Sequence, residues 1–107
     1  MPIMPLSCEM IDKKIPSLNR AVVFVGDHYS QEFNLYKSIS LLENEGQKFN
    51  YFTLDEEDCK KQLGVTKEPS LLMFRNKFNT KPAVFNGQFL KESILPWLWN
   101  TITPPGF

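Results

Sequence analysis

Glu68-Pro69-Ser70-Leu71-Leu72-Met73-Phe74-Arg75-Asn76, preceded by Gly64-Val65, places a proline just ahead of four consecutive apolar residues and ends in a charged turn. Leu71 to Phe74 reads as a strand. The polar stretch Arg75 to Lys81 follows, and Pro82 to Phe85 is a second strand candidate; a connection this short predicts an antiparallel hairpin. Upstream, Asp55 to Asp58 puts four acids at the start of a short helix that ends near Leu63-Gly64. Acids there complement the helix dipole.

Further from that segment, the pattern changes from period to period. Phe49 to Leu54 alternates aromatic and aliphatic residues as a strand, while Ala21 to Val25 is a continuous apolar, β-branched run closed by Gly26-Asp27. Such a run predicts a strand buried on both faces, as in a parallel sheet. Between them Leu35, Ile39 and Leu42 recur at helical spacing beside Tyr36, with Ser30 as cap and Gly46 as stop. Met10, Ile11 and Ile15 suggest a short leading helix capped by Ser7, and Ile94, Leu98 and Ile102 a closing helix over Lys91 to Ile102. Pro96 is accommodated if that last helix starts at a Ser93 cap, whose first-turn N–H groups need no intrahelical partner. The expected order is β-α-β-α-β-β-α. It makes one α/β domain over residues 1–107, with a leading segment (1–20), a central mixed sheet and an exit tail (104–107).

Composition excludes several classes. The 107 residues are 42% hydrophobic, with 12 basic and 12 acidic side chains. A chain of this size builds its own core. Zero net charge supplies no basic face for a polyanion, and Lys13-Lys14 and Lys60-Lys61 stand among acids, so nucleic acid is not an expected partner. No apolar run reaches the ~18–20 residues of a membrane span, and Pro2 and Pro5 break any secretory-signal pattern at Met1 to Leu6. Cys8 and Cys59 stand 51 positions apart, which is neither a CxxC pair nor a cysteine-rich zinc site. His28 is the single histidine, so no His-rich metal site exists. It is expected as an exposed loop residue, and Cys59 as a buried thiol acting as a small hydrophobe in preference to pairing with Cys8. No metal or cofactor is expected.

The element order, together with Gly64-Val65 and Glu68 to Asn76 and then Phe85-Asn86-Gly87 before the last helix, resembles the thioredoxin fold. That resemblance implies a cis bond at Glu68-Pro69. Redox-active members carry a CxxC after the first core strand, with its first thiolate at a helix N-terminus. Here the stretch is Asp27-His28-Tyr29-Ser30-Gln31-Glu32, and Tyr29, Ser30, Gln31 and Glu32 hold no sulfur. No thiol–disulfide exchange can occur at that position.

A thioredoxin-like chain without the CxxC, with Met10-Ile11-Asp12-Lys13-Lys14-Ile15 ahead of the first core strand and a Pro-Pro exit, resembles the b-type domains of the protein disulfide isomerase family. The resemblance implies a domain that is not an enzyme, a spacer or a holder of unfolded or peptide protein substrate, within a longer chain of the endoplasmic reticulum lumen, with the cytoplasm as alternative. Its peptide surface maps onto Ile15, Cys59, Leu63 and Phe78, of which Leu63 and Phe78 are large and apolar. A neighbouring thioredoxin-like domain is the other expected partner. Two further readings stand beside it. Trp97 and Trp99 project about 200° apart on a helix, and with Phe78 and Phe107 such aromatics suit a structural module docking a fixed partner. Tyr29 and Ser30 occupy the place of the thiolate-stabilising hydroxyl of glutathione transferases, a third reading that lacks the helical partner domain.

Overall fold

The computed structural model describes residues 3–13, 20–42, 50–74 and 82–102. In chain order these form β1 (Met4–Pro5), α1 (Cys8–Lys13), β2 (Ala21–Val25), α2 (Gln31–Leu42), β3 (Asn50–Leu54), α3 (Glu57–Gln62), β4 (Ser70–Phe74), β5 (Ala83–Val84) and α4 (Lys91–Ile102). The sheet order is β1-β3-β2-β4-β5, parallel from β1 to β2 and antiparallel beyond. This is the expected mixed α/β sheet with one addition. β1 was not foreseen, because a two-residue strand ending in Pro5 carries no alternation, and proline is tolerated only at such an edge.

β2 is central and every one of its residues is buried. Successive side chains of a strand point to opposite faces, so this one run feeds two cores. Ala21, Val23 and Val25 join Leu6, Ile11, Phe52, Leu54, Cys59, Leu72 and Phe74 on the α1–α3 side. Val22 and Phe24 join Tyr36, Ile39, Leu71, Met73, Phe85, Ile94 and Leu98 on the α2–α4 side. The second core is aromatic: the Phe24 ring lies 5.3 Å from both Phe33 and Tyr36, and half-buried Trp97 packs 5.3 Å from Phe85.

The caps follow the sequence. The Ser7 and Ser30 hydroxyls accept the Met10 and Phe33 N–H groups at 3.3 and 3.1 Å. At the end of α3, Gly64 takes φ 76°, and the N–H groups of Gly64 and Val65 bond the Lys61 and Lys60 carbonyls. That is a Schellman turn, which requires the left-handed residue a glycine supplies. α4 departs from expectation. Leu90, not Ser93, accepts its first backbone bonds, so Pro96 lies inside the helix. Pro96 and Glu92, whose carbonyl loses a partner, are exposed to water, while buried Ile94 and Leu98 hold the helix on the sheet. Gly46, Phe49, Arg75 to Lys81 with Phe78, Lys14, Ile15, the 104–107 tail with Phe107, and the side chain of Trp99 lie outside the described residues.

Tyr36 fastens α2 to the strands beneath it. Its hydroxyl accepts the Phe52 N–H at 3.0 Å and lies 2.7 and 3.0 Å from the Phe52 and Val22 carbonyls, either of which takes its proton. Burial pushes the phenol pKa well above its ordinary value. Tyr36→Phe removes these hydrogen bonds in an apolar setting while the β2–β3 ladder remains. A loss of about 1–3 kcal/mol in urea denaturation is expected.

Candidate functional site

Parallel pairing of β1, β3 and β2 brings their C-terminal ends to one end of the sheet, and antiparallel β4 starts there. Val25 is registered with Leu54 on one side and Ser70 on the other. The loop after β2, the start of α3 and Pro69 therefore meet. The Glu68–Pro69 bond is cis. A Cβ on Gly26 would stand 3.2 Å from the Phe24 ring and 3.4 Å from the Pro69 Cα, so the loop lies against Pro69.

Around Tyr29 to Glu32, the Asp27 and Ser30 side chains serve the backbone. Asp27 accepts the Tyr29 N–H through its carboxylate at 2.9 Å, and the Ser30 hydroxyl donates to the Asp27 carbonyl at 2.7 Å while capping α2. The Tyr29 ring is 95% exposed. His28 is not the exposed loop residue expected: it is half-buried, 2.7 Å from the Thr53 hydroxyl and stacked 4.8 Å from Phe33. Loop periodicity could not reveal this, because Thr53 comes from the neighbouring strand.

Sulfur is present one strand away. Cys8 opens α1 directly after β1, and Cys59 lies in the first turns of α3 directly after β3. Since β1 and β3 are parallel neighbours, with the Leu6 N–H bonded to the Thr53 carbonyl at 2.8 Å, the two helices start side by side. Cys8 and Cys59 are joined in a disulfide with a Cα separation of 5.1 Å. This corrects the expectation of a free thiol at Cys59. The missing signal was β1, without which nothing placed Cys8 near α3.

The two sulfurs are unequally accessible. Cys59 is wholly enclosed in the α1–α3 core, so it offers no surface to a peptide, whereas Cys8 is half-buried at its edge with Met10, Leu63 and Val65. Of the four residues expected to form a peptide surface, Leu63 alone is described and partly open; Ile15 and Phe78 lie outside the described residues. The Glu56 carboxylate, exposed on the turn before α3, sits with Oε2 3.5 Å from the Cys59 Sγ and 3.8 Å from the Cys8 Sγ. A disulfide has no S–H to donate, so these are contacts and not hydrogen bonds in the oxidised state.

Lys60 ties α3 to the turn before Pro69. Its nearly buried ammonium bonds Glu68 at 2.8 Å and Glu57 at 3.1 Å. The Glu68 bond, opposed by burial and aided by Glu57, raises its pKa.

Against known proteins, no family model and no curated protein matches the chain. Solved structures do. The chain is similar to the Trx4 domain of ERdj5 (9% identity, TM-score 0.76), covering 95% of this chain and 96% of that one. It is similar to oxidised thioredoxin from Plasmodium falciparum (9%, TM-score 0.75; 94% and 99% covered). The chain has the thioredoxin fold. Human ERp44 is also similar (17%, TM-score 0.75), with 95% of this chain covered, but this chain spans only about a third of that protein's length, 33%. A bridged cysteine pair at the same sheet end corrects the expectation that the domain is not an enzyme, which rested on the lack of a paired thiol. The sulfur of the chain stands at Cys8–Cys59 and not at Tyr29–Glu32. Among the described residues no helix is long and apolar enough to cross a membrane.

Two outcomes are expected. Closing a loop of 51 residues constrains the unfolded chain, and reducing the bridge should lower stability by about 4 kcal/mol on the loop-entropy relation, read as a denaturation midpoint with and without reductant. Lys60→Met should cost about 1–2 kcal/mol at neutral pH, discounted because Glu68 is partly solvated. A raised folded-state pKa means the Lys60 contribution is complete below about pH 10 and is lost as pH rises through the folded pKa. The gap between wild type and variant should therefore narrow in alkaline denaturation series.

Proposed function

We propose that the chain is a thioredoxin-like domain of the protein disulfide isomerase type that holds unfolded or peptide protein substrate by apolar contact and exchanges disulfides through Cys8 and Cys59. The observation that carries this reading is a bridge with one reachable sulfur beside a half-buried apolar fringe of Met10, Leu63 and Val65. Desolvation of apolar side chains would supply most of the binding free energy.

For the exchange, a thiolate of an external dithiol attacks the Cys8 Sγ, the S–S bond breaks, and Cys59 leaves as the thiolate. The second thiolate of the dithiol then attacks the mixed disulfide and releases Cys8. The products are the reduced pair and the oxidised dithiol. A disulfide persists in an oxidising compartment, which supports placing the domain in the endoplasmic reticulum lumen as part of a longer chain.

Insulin reduction by a dithiol tests the chemistry. Turnover by the wild-type chain that disappears in Cys8→Ser and survives Tyr29→Ala is expected; turnover that survives loss of both cysteines would exclude this site. Chemical-shift mapping with an unfolded peptide tests the surface, with perturbation expected at Met10 and Leu63. A response confined to residues away from the α1–α3 side would instead favour docking of a neighbouring domain.

A further inference from the structure

Glu56 is an exposed carboxylate turned onto two sulfurs, and among the described residues no lysine or arginine pairs with it. Anions on a surface ordinarily face water or a cation; this one faces the atoms that become thiolates when the bridge is reduced. Together Cys8, Glu56 and Cys59 offer three ligand atoms within 4.8 Å of one another.

The distances match a specific chemistry. Tetrahedral zinc binds thiolate sulfur at about 2.3 Å and carboxylate oxygen at about 2.0–2.2 Å, which sets sulfur and oxygen about 3.5–3.7 Å apart on the tetrahedron's edge. Glu56 Oε2 already stands 3.5 Å from one sulfur and 3.8 Å from the other. Only the sulfur–sulfur edge is wrong, because it is a bond, and reduction opens it.

We propose that the reduced pair, with Glu56, is a binding site for one thiophilic divalent cation of the Zn2+ class, closed when Cys8 and Cys59 are oxidised. The inference rests on the pair being reducible, as in the function proposed above, but not on peptide binding. A phosphine supplies two electrons and ends as the phosphine oxide, with water giving the oxygen and the two protons, or a dithiol supplies both electrons and protons and ends as a disulfide; either gives two thiols. Binding of the cation displaces both thiol protons to solvent. Two thiolates and the Glu56 carboxylate fill three positions, and water takes the fourth. The scaffold holds these ligands in place from both sides: β1 pairing fixes Cys8, and the buried seat of Cys59 fixes the start of α3. Such a site would stabilise the dithiol and make its oxidation depend on the cation.

The test uses the whole chain and Co2+ alone as a spectroscopic probe. Phosphine-reduced protein, with two thiols titrated, should bind one cobalt per chain with a thiolate charge-transfer band and the intense visible bands of tetrahedral cobalt, both abolished by Zn2+. The oxidised chain should show neither. Glu56→Gln, an exposed change, should keep the melting behaviour of the oxidised chain but bind cobalt roughly tenfold or more weakly. No charge-transfer band in the reduced wild type, a band that saturates at two chains per cobalt, or a Glu56→Gln affinity equal to wild type would each overturn the proposal. Insulin turnover measured in metal-free buffer reads the exchange reaction alone, so loss of one activity does not imply loss of the other.

Discussion

β2 has no side that faces water. Five consecutive apolar residues alternate between two cores, so the strand is stable only if helices cover both faces and strands pair both edges. β3 and β4 are those edges, α1 and α3 cover one face, and α2 and α4 the other. The parallel pairing that follows has a second effect: it collects the C-terminal ends of β1, β2 and β3 at one end of the sheet. Whatever sequence follows those strands is delivered to that place.

Three short segments are delivered. After β2 comes Asp27 to Glu32, in which Asp27 and Ser30 hold the turn and cap α2 and Tyr29 points to solvent. After β1 and β3 come Cys8 and Glu56 to Cys59. The bridge thus lies on the α1–α3 face, and Lys60 binds the same helix to the turn at Glu68-Pro69. The disulfide also does mechanical work, since α1 is short and its core contribution is small; the covalent tie holds it on the sheet.

The sequence was most legible where burial forces periodicity. Ala21–Val25 and Leu71–Phe74, the Ser7 and Ser30 caps and the Gly64 stop all follow from local rules, because each is decided by residues within a few positions. What failed was non-local. Met4–Pro5 becomes a strand only because β3 offers it an edge, and no pattern in two residues announces that. Without β1 the pairing of Cys8 with Cys59 was invisible, and the inference from a missing CxxC to a missing activity came with it. His28 misled for the same reason, its partner Thr53 lying on another strand, and Pro96 because tertiary burial of Ile94 and Leu98 outweighs a lost backbone bond.

The central claim is that Cys8 and Cys59 form an exchangeable couple and not a permanent staple. Equilibrating the native chain against a series of reduced-to-oxidised glutathione and dithiol ratios, with the fraction bridged read by trapping and mass measurement, tests it most directly. A reversible two-electron transition under native conditions, with Cys8 trapped in the mixed disulfide, is the expected result. A bridge that stays oxidised until the domain unfolds would contradict it.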